Sequence, residues 1–235
     1  SSGIDCWLKR VDYPVIDKWY KMDAEGKGSY HVDHGEGLDS YHVGNSRGCG
    51  GIGVWIGDSL CTSDNFTSYK TLEVGPIRTS FELEYAPWKV GEMMLTEKKR
   101  ISLDLGSNLT KIEVQFTAPY PEEIVAGLFI PVFDKGIANV DEKAGWFSYW
   151  SDHNDSELGI GIVADPLYVS GYKEYRVNEK EKSHVFVRLK PIDGKVIYYT
   201  GFGWKKSGRF STKEDWIQYL SEFAACLISP IEVIK

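Results

Sequence analysis

The sequence predicts an all-β protein, an antiparallel β-sandwich with one C-terminal helix. Three observations carry this expectation. At least eight short segments have alternating or continuous apolar patterning, against one segment with helical periodicity. No strand–helix–strand alternation occurs, so the strands are expected to pair antiparallel through turns. Trp, Tyr and Phe make up 14% of the residues, and such rings fit the pleated surface of a sheet.

In chain order, IDCWLKRVDYPVIDKWY (4–20) holds two apolar pieces broken at Tyr13-Pro14. Proline lacks the ladder N–H, so an edge strand or extended arm is expected here. DAEGKGS (23–29) reads as a flexible turn, the stretch Tyr30–Gly53 is polar and glycine-punctuated, and GVWIG (53–57) reads as a buried strand. IRTSFELEY (77–85) alternates, with Ile77, Thr79, Phe81, Leu83 and Tyr85 on one face. RISLDLG (100–106) aligns Ile101, Leu103 and Leu105. KIEVQFT (111–117) aligns Ile112, Val114 and Phe116, and Gly106-Ser107-Asn108 joins the two as a hairpin. IVAGLFIPVF (124–133) and LGIGIVA (158–164) are nearly continuous apolar runs, as strands covered on both faces would be. Between them GWFSYWSDHND (145–155) reads as an aromatic and polar loop carrying His153. HVFVRL (184–189) and KVIYYTGFGW (195–204) complete the strands. The helix follows a capping box assigned to Ser211 and Glu214, shows an apolar stripe through Ile217, Leu220, Ala224 and Leu227, and is stopped by Pro230. With no linker or repeat, residues 1–235 read as one domain.

A net charge of -7 argues against nucleic acid as a partner. The basic run Glu97-Lys98-Lys99-Arg100 reads as an exposed strand face. No stretch approaches the roughly 18 apolar residues of a membrane span. Cys6, Cys49, Cys61 and Cys226 form no CxxC pair, although Cys49 and Cys61 flank a hairpin and are candidates for a bridge in an oxidising compartment. The N-terminus, SSGIDCW, lacks the features of a signal peptide and reads as that of a processed or truncated chain.

The chemistry concentrates in Tyr30–Gly53. His31, Asp33, His34, Glu36 and Asp39 fall within nine residues, next to Tyr30, Tyr41, His42 and Arg47. Nitrogen and oxygen ligands this close would suit a divalent metal, but on a strand His31 and Asp33 face away from His34 and Glu36. Glu36 and Asp39 are a candidate carboxylate pair for glycoside hydrolysis. The third chemistry is proton abstraction beside a carboxylate followed by β-elimination. His31 or His34 would act as base, Tyr30 or Tyr41 as acid, and Arg47 or Arg78 as the carboxylate clamp. Against these stands a structural loop whose histidines bond its own turns, with Arg78 in a surface pair with Glu82. Trp19, Trp55, Trp146 and Trp150 are candidate sugar-stacking platforms in a non-catalytic carbohydrate-binding sandwich.

SGIDCWLKRVDYPVIDKWY, YHVDHGEGLDSYHVGNSRGCGG, GPIRTSFELEY, IVADP and GFGWKKSGRFSTKEDWIQYL together resemble a bacterial family of domains of unknown function. Its members are found beside or fused to unsaturated rhamnogalacturonyl and uronyl hydrolases in polysaccharide-degradation loci. The resemblance implies a galactose-mutarotase-like supersandwich, an extracytoplasmic location in the periplasm or outside the cell, and an acidic oligosaccharide of pectin or ulvan type as partner. It also implies an oligosaccharide dehydratase or lyase that generates the unsaturated uronate, and upstream strands beyond those present here. The site expected from the residues has His31, His34, Asp39 and Tyr41 as catalytic residues, and Trp19, Tyr30, Glu36, Arg47 and Arg78 as substrate-binding residues; His31, His34, Glu36, Asp39, Tyr41 and Arg78 fall within the segments that carry the resemblance.

Overall fold

The structure, a computed structural model, describes residues 2–229, so Pro230 lies outside the described residues. The chain begins with β1 (Leu8–Lys9), helix α1 (Ile16–Ala24) and β2 (Gly37–Leu38). Next come β3 (Cys49–Ile56), β4 (Ser59–Cys61), β5 (Ser68–Val74), β6 (Arg78–Glu84) and β7 (Trp88–Val90). The long hairpin β8 (Met93–Asp104) and β9 (Leu109–Thr117) leads to β10 (Ile124–Phe129), β11 (Ile137–Asp141) and β12 (Trp146–His153). β13 (Ser156–Val163), β14 (Val169–Tyr175), β15 (His184–Leu189) and β16 (Lys195–Trp204) complete the sheets, and α2 (Lys213–Ile228) closes the described chain.

Two antiparallel sheets form the layers of an all-β sandwich. One runs β14-β15-β10-β3-β4. The other runs β11-β12-β13-β16-β9-β8-β6-β5, with β7 attached to β8. β1 and β2 make a separate small ladder that ties the N-terminal arm to the Tyr30–Gly53 stretch. Between the layers lie Ile112, Val114, Leu128, Val185, Val187 and Tyr198, all at most 2% exposed. Polar bonds also cross the layers: Tyr198 donates to the Gly50 carbonyl (2.7 Å) and Thr200 to the Cys49 carbonyl (3.0 Å). Gly50 has φ +97° and its backbone presses on Thr200, where any Cβ would lie 2.4 Å from Oγ1.

Helix α2 lies against β12 and β13 on the far side of the larger sheet, where Trp146, Trp150, Phe210, Trp216 and Leu220 form a second core. Gly159 and Gly161 make room for it: a Cβ there would meet Trp216 or Leu220 at 2.6 and 2.9 Å. The apolar stripe is therefore as expected, but the cap is shifted by one residue. Thr212 accepts from the Asp215 N–H, and the Asp215 carboxylate accepts from the N–H groups of Thr212 and Ser211.

Other expectations are corrected. Residues 16–24 are helical rather than an extended arm. Pro14 precedes the helix, where no ladder N–H is needed, and Trp19 is buried beneath it. Residues 146–153 are strand β12 rather than a loop. Ile112, Val114 and Phe116 point inward, but Ile77, Leu103 and Leu105 are exposed, because the hairpin end at β5–β6 projects beyond the opposing sheet. In the Glu97–Arg100 run only Lys98 and Arg100 face solvent. Glu97 and Lys99 are 2% and 5% exposed, pair at 3.4 Å, and Ser63 donates to the Glu97 carboxylate. All four cysteines are free thiols. Cys61 registers with Val54, five residues up β3 from Cys49, about 16 Å at strand rise, so that bridge is out of reach. Among the described residues no helix is long and apolar enough to cross a membrane.

Candidate functional site

The titratable residues of Tyr30–Gly53 do not converge. His34 Nε2–H donates to the Ser29 carbonyl (3.1 Å), and His31 Nδ1–H to the Asp39 carbonyl (2.7 Å). Asp33 accepts from the N–H groups of Gly35 and Gly37 and pairs with Arg10, so it serves as the turn's own anchor. Glu36 receives Tyr13, Lys18 and the Trp19 indole at 2.6, 2.7 and 3.3 Å, which hold its carboxyl down at about 2. Glu36 thereby fastens α1 to the loop and is not disposed to act as an acid. Trp19, only 3% exposed, is part of that fastening rather than a sugar platform.

The arginines are also elsewhere. Arg78 forms a two-point pair with Asp104, its cross-strand partner in β8, on the exposed sheet end; Glu82 instead binds Lys98. Arg47 is 2% exposed within the fold, donating to the carbonyls of Ile52 and Asn45, while its own N–H donates to His184 Nε2. His184 in turn donates from Nδ1 to the Lys182 carbonyl, and burial lowers its pKa to about 4, so it is a satisfied core histidine. Among the described residues no three His, Cys, Asp or Glu side chains gather as a metal centre. Trp146 and Trp150 are buried under α2, and Trp55 is edge-on to Tyr175 and Phe186.

One part of the stretch does reach a cavity. Ser40, Tyr41 and His42 line a pocket of about 300 Å³ at one end of the sandwich, with Phe129, Pro131, Val132, Tyr149, Ser151, His153, Leu158, Ile160, Lys180 and Glu181. The period of two in β12 delivers Tyr149, Ser151 and His153 to this side, while Trp146 and Trp150 turn toward α2. Ser40 Oγ bonds His153 Nε2 at 2.8 Å, and burial lowers the His153 pKa, so the ring is neutral at neutral pH. The rings of Tyr41 and His153 are 6.3 Å apart. The Tyr41 hydroxyl is fully buried and has no hydrogen-bond partner, and burial lifts its pKa well above the usual phenol value.

The walls are held firmly. Tyr149 donates to Asp134 (2.6 Å) and lies under the Arg176 guanidinium, which also bonds the carbonyls of Asp134 and Gly136. Glu181 accepts from the Asn45 N–H (2.8 Å) and binds His42 Nε2 (2.5 Å); these bonds hold its pKa at about 2. Asp39 and Asp5 lie close enough to affect one another, and burial raises both carboxyls above their ordinary range. Tyr30 belongs to an aromatic stack with Trp7 and Tyr20 beside His31. Of the four described non-glycine residues with positive φ, Glu181 lines the pocket, Phe133 follows its wall residue Val132, and Asn154 follows His153. Such strain persists where surrounding contacts enforce it, and it gathers at functional sites.

Of the residues expected from the sequence to form the site, Tyr41 lines this pocket, with Asp39 two residues before it; Tyr149, Ser151, His153, Lys180 and Glu181 line it without having been expected there. The signal for β12 was present: Tyr149, Ser151 and His153 repeat every second residue. A model of a domain of unknown function (DUF4861) matches residues 1–233 of the chain. The chain is also 44% identical over 234 residues to "Uncharacterized protein P7" of Formosa agariphila, covering 99% of this chain and 58% of that protein.

Proposed function

The chain belongs to the DUF4861 family, and for this member we propose that the Tyr41–His153 pocket takes a uronate at the end of an oligosaccharide and promotes β-elimination. The observation that carries the reading is a neutral imidazole on a cavity beside the ring of Tyr41, centroids 6.3 Å apart, with the Tyr41 hydroxyl buried behind that lining and without a partner. Elimination needs these two functions together, a base for the proton beside the carboxylate and an acid for the departing oxygen. With Nε2–H donating to Ser40, His153 keeps a lone pair on Nδ1. It takes the proton at C5, the C5–H electrons form the C4=C5 bond, and the C4–O bond breaks as the Tyr41 hydroxyl, buried behind the lining in the free protein, turns into the cavity and protonates the leaving oxygen. Water leaves in a dehydratase, a sugar hydroxyl in a lyase. Lys180, a lining residue that pairs with Glu181 at 3.5 Å, supplies the cation for the carboxylate. An extracytoplasmic location is part of the same proposal. Glycoside hydrolysis by Glu36 and Asp39 is not supported, because Glu36 is held ionised by three donors.

A second reading, carbohydrate binding without turnover, draws on the apolar share of the lining, Phe129, Pro131, Val132, Leu158 and Ile160. Ultraviolet absorbance of the conjugated enol-carboxylate separates the two on a panel of uronate oligosaccharides. The expected rise disappears in His153→Gln and Tyr41→Phe. Saturable binding without any chromophore, from a folded wild-type protein, would replace the first reading by the second.

A further inference from the structure

We propose that Phe133 forms a second sugar subsite at the rim of the pocket, stacking on the ring adjoining the bound uronate; this rests on the uronate reading of the pocket. The argument begins with the backbone. Asp134 N–H bonds the Pro131 carbonyl at 3.1 Å, closing a four-residue turn in which Phe133 is the third residue, at φ +63°. Turn geometry with positive φ at that position ordinarily calls for glycine or asparagine. A phenylalanine there strains the backbone, and its ring is 84% exposed, so the fold gains no burial in return.

The other described residues with positive φ have internal explanations. Asn154 and Asp193 are short polar residues that tolerate the left-handed region, and the Glu181 carboxylate binds Asn45 and His42. No aromatic or cationic partner among the described residues meets the Phe133 ring. The backbone that carries it is nevertheless held on both sides, because Pro131 and Val132 before it line the pocket and Arg176 bonds the Asp134 and Gly136 carbonyls after it. A braced turn that carries an unshielded aromatic ring directly after two residues of the pocket lining suits the apolar C–H face of a pyranose. The stacked ring is the neighbour of the uronate, so the site selects oligosaccharides over single sugars.

The experiment measures binding of a uronic acid monosaccharide and of a uronate-terminated trisaccharide by calorimetry, with thermal melts of each variant. Wild type is expected to hold the trisaccharide more tightly. Phe133→Gly is expected to weaken the trisaccharide about tenfold, leave the monosaccharide unchanged, and melt at a higher temperature because the turn strain is relieved. Phe133→Trp keeps the trisaccharide affinity. Equal trisaccharide affinity in wild type and Phe133→Gly overturns the subsite. A parallel loss for both sugars overturns it too, since the residue would then only shape the pocket, and so does a change in self-association without a change in sugar binding. Failure of wild type to bind either sugar overturns the uronate reading itself, and this inference with it.

Discussion

Tyr41→Phe removes one oxygen atom and separates two accounts of the pocket. The Tyr41 side chain packs in the core between the sheets, and its hydroxyl is buried without a partner. A buried hydroxyl left unbonded costs about 1–3 kcal/mol of desolvation. Phenylalanine keeps the ring and its contacts, so the variant is expected to be more stable by about that amount. For a protein of this size each kcal/mol moves the melting temperature by roughly 2–4 °C, well within calorimetric resolution. The same change removes the group assigned to the leaving oxygen, and general acid catalysis of this kind contributes about 10²–10⁴-fold. The expected result is a higher melting temperature and near-complete loss of the enol-carboxylate signal. A variant that melts lower refutes the reasoning, because the hydroxyl would then have been satisfied in the free protein. Unchanged turnover refutes its assignment as the acid.

Further outcomes follow from other sites. The rate is expected to fall on acidification at a lower pH than the 6.5 of an ordinary imidazole, because burial lowers the His153 pKa and the base form persists; a pH–rate profile checks this. His184 titrates at about 4 against an ordinary 6.5, so the unfolded chain binds the extra proton first. Stability is full above pH 6.5 and falls by about 3 kcal/mol as pH drops toward 4, a loss that denaturant melts should find diminished in His184→Gln. Lys99→Met leaves Glu97 charged and buried and is expected to cost about 3–5 kcal/mol, with most of it restored in the Glu97→Gln/Lys99→Met double variant. Arg78→Ala breaks only an exposed pair with Asp104, so it should change stability by less than about 1 kcal/mol and leave the absorbance assay unaffected.

The strands were legible wherever one face meets the core and the other meets something of different polarity. KIEVQFT shows this alternation and folds as written, with Ile112, Val114 and Phe116 inside. The same pattern misleads at the β5–β6 end. Leu103 and Leu105 alternate as core residues do, yet they extend past the opposing sheet. Periodicity reports which residues share a face, not whether that face is covered. Glu97 and Lys99 are the converse. Two charges on the inward side of β8 look solvent-directed in sequence, and only the fold shows that they neutralise one another and take a hydrogen bond from Ser63. Helix α1 was hidden for another reason: Pro14 weighs against a strand and equally marks the residues just ahead of a helix.

The site was less legible because titratable density is not convergence. His34, Asp33 and Glu36 are close in sequence, and that closeness is what lets them serve the turn: short-range carbonyls, N–H groups and the neighbouring helix take up their valences. A polar group that must meet a ligand has to be left unsatisfied by its own neighbourhood. Tyr41 has such an unsatisfied hydroxyl, buried behind the pocket lining, on a chain segment that runs from the small N-terminal ladder to the pocket. Its counterparts come from β12 and from the turn at Lys180–Glu181, more than a hundred residues away, and are brought to it by the fold. The strained residues point the same way. Glu181 is held at positive φ by bonds to Asn45 and His42, so the distant loop is locked onto the segment that carries Tyr41. The Tyr30–Gly53 stretch thus contributes one wall of the pocket, and β12 and the Lys180–Glu181 turn contribute the side chains that face it.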